Sequence, residues 1–469
     1  MPPQNQNPHD TRTARVEYYW SAGSPMLIAL LGLVTGAHAS GSCFNVQPAS
    51  PNDAPFDDNA IARMSTYFLM NLNVNGSGAI VASPGAVPAL PDSCPGGYRF
   101  HWMRDGALSI RSLMETTNVT KLSATAVAPI VEAYVEWVKS VTAGSAEPKW
   151  NITAKEPYAF GWCRPQTDGR PLRALSLLAA MRHHDTWALA TADLDWLAEG
   201  GHFDTPSCDL WEEGTSEPNL LWNRVAMRSA LLTGAAAAKA QGDVHRQTTY
   251  EKAASEHVVD PFTSEHLHAG SAYFIECPEQ STCAKSGKML DGVVILALVH
   301  AGAAATKMSD PASAAVARTV SAFNVAFCDA YPINNKQLPG ILYGRYTRDQ
   351  YGGGNPWLLI TAALANLLYR AAISAAHAPP APDAVDAWRA TFGVSFGRGA
   401  GGFPVAFVAA ADSVLRRLRL HVVAADNDHL YEQIDKNTGA QYNAKDLTWS
   451  YAEMLSALEQ RRLALAAVH

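Results

Sequence analysis

NPWLLITAALANLLYRAA, residues 355–372, is the stretch that decides the fold of this chain. Asn355 followed by Pro356 is typical of a helix start, since Asn is a good N-cap and Pro is tolerated at the first helical position. The residues that follow are apolar or alanine on nearly every side, as in helices that are enclosed by other helices. Pro379 and Pro380 end the pattern. The stretch therefore predicts a long helix buried inside an all-α protein.

Other segments of the chain repeat this helical pattern, while alternating strand-like runs are almost absent. The helical segments are residues 128–141, 170–184, 224–240, 290–308 and 446–462. The Pro-rich stretch near residue 380 and the Gly-rich stretch near residue 400 read as loops between helices. We therefore predict one all-α domain over residues 57–465, preceded by an irregular lead-in over residues 40–56 whose composition is rich in Pro, Asn and Ser.

The composition of the 469 residues narrows the class of protein. Hydrophobic residues make up 48% and charged residues 17%, so the chain can bury a large core and wholesale disorder is excluded. A net charge of -7 argues against a nucleic-acid partner, because phosphate binding needs a basic excess. Twelve tryptophans and sixteen tyrosines are a positive clue, since flat aromatic faces suit sugar rings.

The N-terminal 39 residues read as a targeting segment. Arg12 and Arg15 precede the apolar run MLIALLGLVTGAHA, which ends in small residues around Ala39. This run is short for a membrane span but suits a signal peptide cleaved after Ala39. We predict a secreted, monomeric protein without stable membrane contact; the alternative is an uncleaved signal anchor.

The seven cysteines all lie beyond the predicted cleavage point, at positions 43, 94, 163, 208, 277, 283 and 328. In an oxidising compartment they would tend to pair, and an odd number leaves at least one without a partner in this chain. Cys277 and Cys283 are close enough to close a short loop, whereas the roles of Cys163 and Cys208 stay open. The sequons at Asn75, Asn118 and Asn151 fit a secreted glycoprotein.

Five segments combine aromatic residues with carboxylates, and most also carry an arginine. They are YRFHWMRDGALSIR (98–111), EPKWNITAKEPYAFGWCRPQTDGRPLRAL (147–175), CDLWEEGTSEPN (208–219), YGRYTRDQYGGGNPW (343–357) and HLYEQIDKNTGAQYNAKDLTWSYAEM (429–454). A sugar-hydrolysing pocket needs these ingredients: aromatic rings stack on pyranose faces, charged groups bind hydroxyls, and two carboxyl groups break the bond. Taken alone, the adjacent Glu212 and Glu213 would be read first as a solvated acidic turn.

In this order, the five segments resemble the glucoamylase family, glycoside hydrolase family 15. The matching patterns are Y-x-x-x-W-x-R-D, E-P-K-[FW]-N…W-x-R-P-Q-x-D-G, D-L-W-E-E, G-R-Y…N-P-W and E-Q-x-D-K…A-x-D-L-T-W-S-Y, which span roughly residues 57 to 462. The resemblance implies an (α/α)6 barrel, in which six inner helices are ringed by six outer ones. It also implies an inverting, exo-acting glucan 1,4-α-glucosidase. Such an enzyme releases β-D-glucose from the non-reducing ends of starch, glycogen or maltooligosaccharides, and cleaves α-1,6 links more slowly.

The resemblance also assigns roles to residues of this chain. Glu212 would be the general acid and Glu432 the general base. Glu213 and Arg345 would bind a substrate hydroxyl, and Arg104 and Asp105 would clamp the terminal glucose. The other residues expected at the sugar are Tyr98, Trp102, Tyr158, Trp162, Asp209, Leu210, Tyr351 and Trp357. Asp168 and Asp349 are expected to be structural ion-pair partners. No cofactor or metal is expected, since the carboxyl groups supply both proton transfers.

These roles lead to an expectation about pH. A general acid must keep its proton near the working pH, and apolar surroundings and the Glu213 charge would both favour that for Glu212. Glu432 must be ionised, so we predict an acidic optimum bounded by the two titrations. Two alternatives remain: another enzyme of the family, such as an α,α-trehalase or a glucodextranase, and a non-catalytic carbohydrate-binding relative.

Overall fold

The computed structural model describes residues 43–48, 53–85, 87–88, 97–199, 202–214 and 217–468. The predicted signal segment, residues 1–39, and Cys94 lie outside the described residues. The described part is mainly helical, with fifteen α-helices. They are α1 (Asp58–Met70), α2 (Met103–Glu115), α3 (Thr117–Thr120), α4 (Ala124–Trp137), α5 (Gly169–Ala180), α6 (Trp187–Glu199), α7 (Leu221–Gln241), α8 (Val244–Glu256), α9 (Thr282–Lys285), α10 (Val293–His300), α11 (Ala314–Ala330), α12 (Leu358–His377), α13 (Pro382–Phe392), α14 (Gly402–Arg419) and α15 (Thr448–Val468).

Six of these helices close a ring. Helix α2 contacts α5, α5 contacts α7, and the series continues through α10, α12 and α15, which returns to α2. The helices α1, α4, α6, α8, α11 and α14 alternate with the ring helices along the chain. Most of them pack directly on the ring, and α11 packs against the additional helix α13. This arrangement is the predicted (α/α)6 barrel.

The ring position explains the apolar composition of α12. Fifteen of its 20 residues are buried, since it contacts α10, α14 and α15. Among the described residues, α12 is the one helix that is long and apolar enough to cross a membrane. However, 83% of its most apolar 18-residue window is buried inside the protein. Helix α12 begins at Leu358, two residues later than predicted, because Asn355 does not cap it. The Asn355 amide instead donates to Gly352 O at 2.8 Å and to Gln433 Oε1 at 3.1 Å.

Two small antiparallel sheets precede ring helices. Strands β1 (His101–Trp102), β2 (Lys149–Asn151) and β3 (Glu156–Pro157) form one sheet, and β4 (Tyr431–Ile434) pairs with β5 (Gln441–Lys445) in the other. Because an outer helix returns the chain between successive ring helices, the N-termini of the ring helices meet at one end of the barrel. The five motif segments all lie just before or at these N-termini. The fold therefore gathers them at one place.

Six described cysteines form three disulfides. Cys277 pairs with Cys283, which confirms the sequence prediction. Cys43 is bonded to Cys328, and Cys163 to Cys208. The Cys43–Cys328 bond ties the lead-in to α11 across 285 positions, and the Cys163–Cys208 bond joins two loops across 45 positions. The tertiary structure thus decides the pairings that spacing left open.

Candidate active site

A cavity of about 250 Å³ opens at the end of the barrel where the ring helices begin. Twelve residues that the sequence analysis singled out line it: Tyr98, Trp102, Arg104, Asp105, Trp162, Leu210, Glu212, Glu213, Arg345, Tyr351, Trp357 and Glu432. Five more complete the wall: Ala82, Trp211, Leu359, Leu447 and Trp449. Segments more than 300 positions apart in the chain therefore contribute to one small, largely aromatic cavity.

Glu212 is held by three N–H donors. Trp102 Nε1 donates to Oε1 at 2.8 Å, Arg104 Nη2 donates to the same oxygen at 3.1 Å, and Trp162 Nε1 donates to Oε2 at 2.8 Å. The backbone of Glu212 adopts a φ of 64°, a left-handed conformation that a non-glycine residue takes at an energetic cost. Since Oε1 accepts two bonds and Oε2 only one, Oε2 keeps a lone pair for a transferable proton.

Glu213 has a different environment from its neighbour. Arg345 lies 2.8 Å from its Oε1, while Lys288 and the Tyr346 hydroxyl contact Oε2. Burial opposes the charge, but Arg345, Lys288 and Tyr346 outweigh it and lower the pKa of Glu213. The two cations beside Glu213 are shared with other carboxylates, since Arg345 also pairs with Asp349 and Lys288 with Asp209.

Glu432 is a buried strand residue rather than part of a loop. It lies on β4 with 1% of its surface exposed, and its Oε2 accepts from Asn443 Nδ2 and from Gln433 Nε2. Burial raises the pKa of Glu432 to about 7, although the Asn443 hydrogen bond and the Arg345 charge act in the opposite direction. Because the strand encloses the carboxylate, this value lies above the acid range in which the sequence analysis expected the optimum.

Three buried polar atoms of the lining have no hydrogen-bond partner within the described protein: Arg104 Nε, Asp105 Oδ2 and Trp357 Nε1. The remaining guanidinium nitrogens of Arg104 are bound, with Nη1 donating to Gln166 at 3.1 Å and to Asp168 at 3.2 Å. Asp168 thus has the structural role that was expected of it. Arg104 Nε and Asp105 Oδ2 form an ion pair with each other at 3.5 Å, so Trp357 Nε1 is the atom of the three that has neither a hydrogen bond nor an ion pair in the described protein.

The aromatic side of the cavity is built around a lysine. The Lys149 ammonium, fully buried, lies 3.6 Å from the ring centroid of Trp162, 3.9 Å from Tyr158, 4.4 Å from Trp102 and 4.5 Å from Phe100. Cation–π attraction favours this arrangement, most of all where water is excluded. Lys149 therefore fixes the two tryptophans whose indoles bind Glu212.

Two predicted sugar contacts lie behind the wall rather than in it. Tyr158 packs on Trp162 with centroids 5.6 Å apart. Asp209 accepts from Lys288 Nζ at 2.5 Å and from the backbone N–H of Glu213 at 3.1 Å. Both residues are turned away from the cavity because neighbouring partners bind their polar or aromatic groups.

Besides Ala82, Trp211, Leu359 and Leu447 of the wall, sequence reasoning missed four residues of this site: Trp449, Asn443, Lys149 and Lys288. The first three of these four lie inside the quoted motif segments, and Lys149 and Trp449 are fixed positions of the quoted patterns, but membership of a motif does not by itself distinguish a site residue from a core residue. Lys288 lies outside every motif segment, and only its place between Asp209 and Glu213 reveals it. Within the described ranges, no cluster of His, Cys, Asp or Glu is arranged to hold a metal ion.

Comparison with known proteins identifies the lineage of this site. The family model described as "Glycosyl hydrolases family 15" matches residues 63–459, which includes every residue of the cavity wall discussed above. The chain belongs to this family. The match begins within α1 and ends within α15, and so spans the region that the five motif segments had indicated.

Relatives and solved structures of family 15 agree with this assignment. A protein of Rhizopus oryzae named Glucoamylase 1 is 30% identical over 428 residues, covering 83% of this chain and 68% of its own length. The structure of a Saccharomycopsis fibuligera glucoamylase superposes with a TM-score of 0.73 at 22% identity, covering 91% of this chain and 98% of that one. A family 15 glucoamylase from Hypocrea jecorina gives 0.70 at 23% identity, covering 88% and 74%. These two structures have the same barrel fold.

Proposed function

We propose that this family 15 protein is a glucoamylase, a glucan 1,4-α-glucosidase. It acts at the non-reducing ends of starch, glycogen or maltooligosaccharides, cleaves terminal α-1,4 links, more slowly α-1,6 links, and releases β-D-glucose by inversion. The observation that carries the proposal is that Glu212 and Glu432 line one small cavity with aromatic walls. The names of the Rhizopus oryzae and Arthroderma benhamiae relatives, both glucoamylases, support the same substrate class.

Glu212 acts as the general acid. Its Oε2 gives a proton to the glycosidic oxygen as the bond to the leaving sugar breaks. The indoles of Trp102 and Trp162 and the Arg104 guanidinium hold the carboxyl group in position and stabilise the carboxylate that remains. Because that charge develops during bond cleavage, donors fixed beforehand lower the barrier.

Glu432 acts as the general base. It takes a proton from a water molecule that attacks the anomeric carbon from the face opposite the leaving group. Inversion requires room for this water, with the two carboxyl groups about 6.5–9.5 Å apart. Asn443 and Gln433 orient the Glu432 carboxylate on its strand and leave its ionised form hydrogen-bonded.

The terminal glucose is held by polar groups of the cavity wall. Arg104 Nε and Trp357 Nε1 donate to hydroxyl oxygens, and Asp105 Oδ2 accepts from a hydroxyl group. Glu213, kept ionised by Arg345, accepts from another hydroxyl group. The walls of Tyr98, Trp102, Trp162, Tyr351 and Trp357 exclude water and pack against the ring.

Substitution of each carboxylate tests the assignment. E212Q and E432Q should each lower kcat on maltotriose by about 10³-fold or more, because glutamine neither gives nor takes the proton. The matched control is E156Q, which changes an exposed glutamate of β3. Wild-type kinetics in either variant would refute the roles. A proton NMR time course of released glucose should show the β-anomer first, and initial α-anomer would exclude inversion.

The rival enzymes of the family are separated by their substrates. Wild-type protein should hydrolyse maltose faster than isomaltose and leave trehalose intact. Preference for trehalose would indicate an α,α-trehalase, and preference for isomaltose or dextran a glucodextranase. A protein that binds maltooligosaccharides but hydrolyses none of these sugars would be the non-catalytic relative.

We propose that the protein is secreted and acts as a monomer, although one relative is named an intracellular, sporulation-specific glucoamylase. Three disulfides support an oxidising compartment. Asn75 and Asn118 are exposed, as glycan attachment requires. Mass spectrometry of protein from the culture medium tests cleavage after Ala39 and glycan occupancy, and light scattering tests the oligomeric state. Protein retained in cells with its first 39 residues would contradict secretion.

A further inference from the structure

Two loops that lack regular structure carry the groups around the general acid. The tryptophan loop, residues 158–168, holds Trp162, and the acid loop, residues 205–214, holds Glu212. The Cys163–Cys208 disulfide joins them. It is attached one residue from Trp162 and four residues from Glu212, so it links both partners of the hydrogen bond from Trp162 Nε1 to Glu212 Oε2, which measures 2.8 Å.

Near Trp162 the tryptophan loop is tied mainly to itself, since Arg164 Nη1 donates to Trp162 O at 3.3 Å and Gln166 Nε2 donates to Cys163 O at 3.1 Å. The backbone N–H groups of residues 160–164 form no hydrogen bond within the described part of the protein. Phe160 is 58% exposed, and Gly161 is exposed as well. Further along the loop, the backbone N–H of Cys208 donates to Pro165 O at 2.9 Å, and Thr167 N–H donates to Ser207 Oγ at 3.1 Å. Apart from the Trp162–Glu212 hydrogen bond itself, the covalent link is the tie between the two loops that lies nearest to Trp162.

We propose that the Cys163–Cys208 disulfide is a positioning element for proton transfer in the reaction proposed above. It keeps Trp162 in the orientation in which its indole N–H holds Oε2 of Glu212, the oxygen that keeps a lone pair for the proton. Without the bond the tryptophan loop samples other conformations, and Glu212 spends less time aimed at the leaving oxygen. Neither cysteine lines the cavity, so both act through Trp162 and Glu212.

The test compares two double variants on two substrates. C163A/C208A removes the disulfide between the loops, whereas the control C43A/C328A removes one that closes a much longer segment, 285 positions against 45. By chain entropy the control costs at least as much stability. The substrates are maltose and α-D-glucopyranosyl fluoride. Both are hydrolysed to glucose, but departing fluoride needs less protonation than a sugar alkoxide, so it depends less on a general acid.

For C163A/C208A we expect kcat on maltose to fall about tenfold, the worth of one well-placed hydrogen bond. We expect a smaller loss on the fluoride, a KM within about twofold of wild type, and near wild-type kinetics for C43A/C328A. Equal losses on both substrates, or losses in the control as large as those in C163A/C208A, would overturn the proposal. If wild-type protein hydrolyses neither substrate, it is the proposed function that fails.

A third variant tests whether the disulfide acts through Trp162. W162F keeps an aromatic ring but removes the indole N–H, so it should show the same greater loss on maltose than on the fluoride. When W162F is combined with C163A/C208A, the further loss of activity should be small, since both changes remove the same hydrogen bond from Trp162 to Glu212. Full additivity of the two effects would contradict a pathway through Trp162.

If C163A/C208A does not fold, the folded wild-type enzyme is titrated with dithiothreitol. Each opened disulfide takes up two electrons and two protons, while the reagent is oxidised to its cyclic disulfide. Peptide mass spectrometry follows the three pairs separately. Loss of maltose hydrolysis should track the opening of Cys163–Cys208 and reverse on reoxidation. Loss that tracks another pair, or full activity with Cys163–Cys208 open, would refute the proposal.

Discussion

The carboxylate of Glu432 is subject to two opposing influences. Enclosure by β4 and its neighbours disfavours the charge, while the Asn443 amide and the Arg345 guanidinium favour it, and burial prevails, raising the pKa to about 7. A general base works only when ionised. With Glu432 as the proposed base, we therefore expect the acidic limb of kcat/KM near neutral pH, and we expect the Asn443 hydrogen bond to keep it from lying higher.

Removal of that amide should move the acidic limb to higher pH. Asn443 has a φ of 67°, so N443G removes the side chain while keeping a backbone conformation that glycine adopts freely. Without the Asn443 donor the pKa of Glu432 rises further, by about one pH unit for a hydrogen bond to a charged group. The kcat/KM profile for maltose measures this shift.

The neighbouring Y442F is the matched control for N443G. Tyr442 lies on the same strand and is 37% exposed, and adjacent strand residues face opposite sides. Its acidic limb should coincide with that of wild type. If the acidic limb of the kcat/KM profile in N443G stays at the wild-type pH or moves to lower pH, the role given to Asn443 is wrong.

At the level of elements, the small sheet β1–β2–β3 is what brings Lys149 to the tryptophans. The antiparallel register places Trp102 opposite Lys149, and β3 leads into the loop that supplies Tyr158 and Trp162. Four aromatic rings then surround one ammonium group. The sheet therefore holds together the wall that binds Glu212, the proposed general acid.

Replacement of the ammonium group should loosen this wall. K149M keeps a long apolar side chain but loses the cation–π attraction, which is worth about 1–2 kcal/mol at a site without water. We expect a lower thermal midpoint and a fall in kcat/KM on maltose, measured by calorimetry and initial rates. K139M, at a lysine whose side chain is 63% exposed, should change neither. Wild-type stability and kinetics in K149M would show that the cage does not support the site.

At the scale of the whole molecule, the barrel encloses several carboxyl groups whose protonated form burial favours. Burial raises the pKa of Asp291 to about 8 and that of Asp105 to about 6, and it raises the pKa of Glu276 as well. When the pKa of a group is higher in the folded than in the unfolded protein, the folded protein binds more protons than the unfolded chain at any pH between the two values. Stability from these groups is present at low pH and is lost as the pH rises from about 4 towards 8.

Asp291 offers a test of this pH dependence. It precedes α10 and accepts from Trp211 Nε1 and from the backbone N–H of Val293, each at 2.9 Å. Its pKa rises from about 3.8 in the unfolded chain to about 8 in the folded protein. Between these two pH values, Asp291 should therefore lower the free energy of unfolding by up to about 1.4 kcal/mol per pH unit. D291N keeps an acceptor but cannot ionise.

Urea unfolding at pH 5 and pH 8 measures the outcome. The free energy of unfolding should fall less between these values in D291N than in wild type. D386N, which changes an exposed aspartate of α13, should keep the wild-type difference. An unchanged pH dependence in D291N would mean that Asp291 titrates alike in the folded and unfolded chain.

The helices and the motif residues of this protein can be predicted from the sequence because each is encoded by a short, contiguous stretch of residues. Helical periodicity and alanine-rich apolar runs predicted the ring helices, including α12, since a helix without a polar face needs neighbours on every side. Contiguous motifs likewise indicated the family and twelve residues of the cavity wall. The short strands were missed because two to five residues carry too little alternation to recognise.

Other features of the site depend on partners that are distant in the chain, and these features could be seen only in the tertiary structure. Glu212 and Glu213 are adjacent and chemically identical, yet one receives two indoles and an arginine, and the other receives Arg345 and Lys288. The pairing of Cys163 with Cys208 and the enclosure of Glu432 are of the same kind. Charge state, hydrogen-bond partner and covalent link depend on distance in space, so they exist only once the barrel closes.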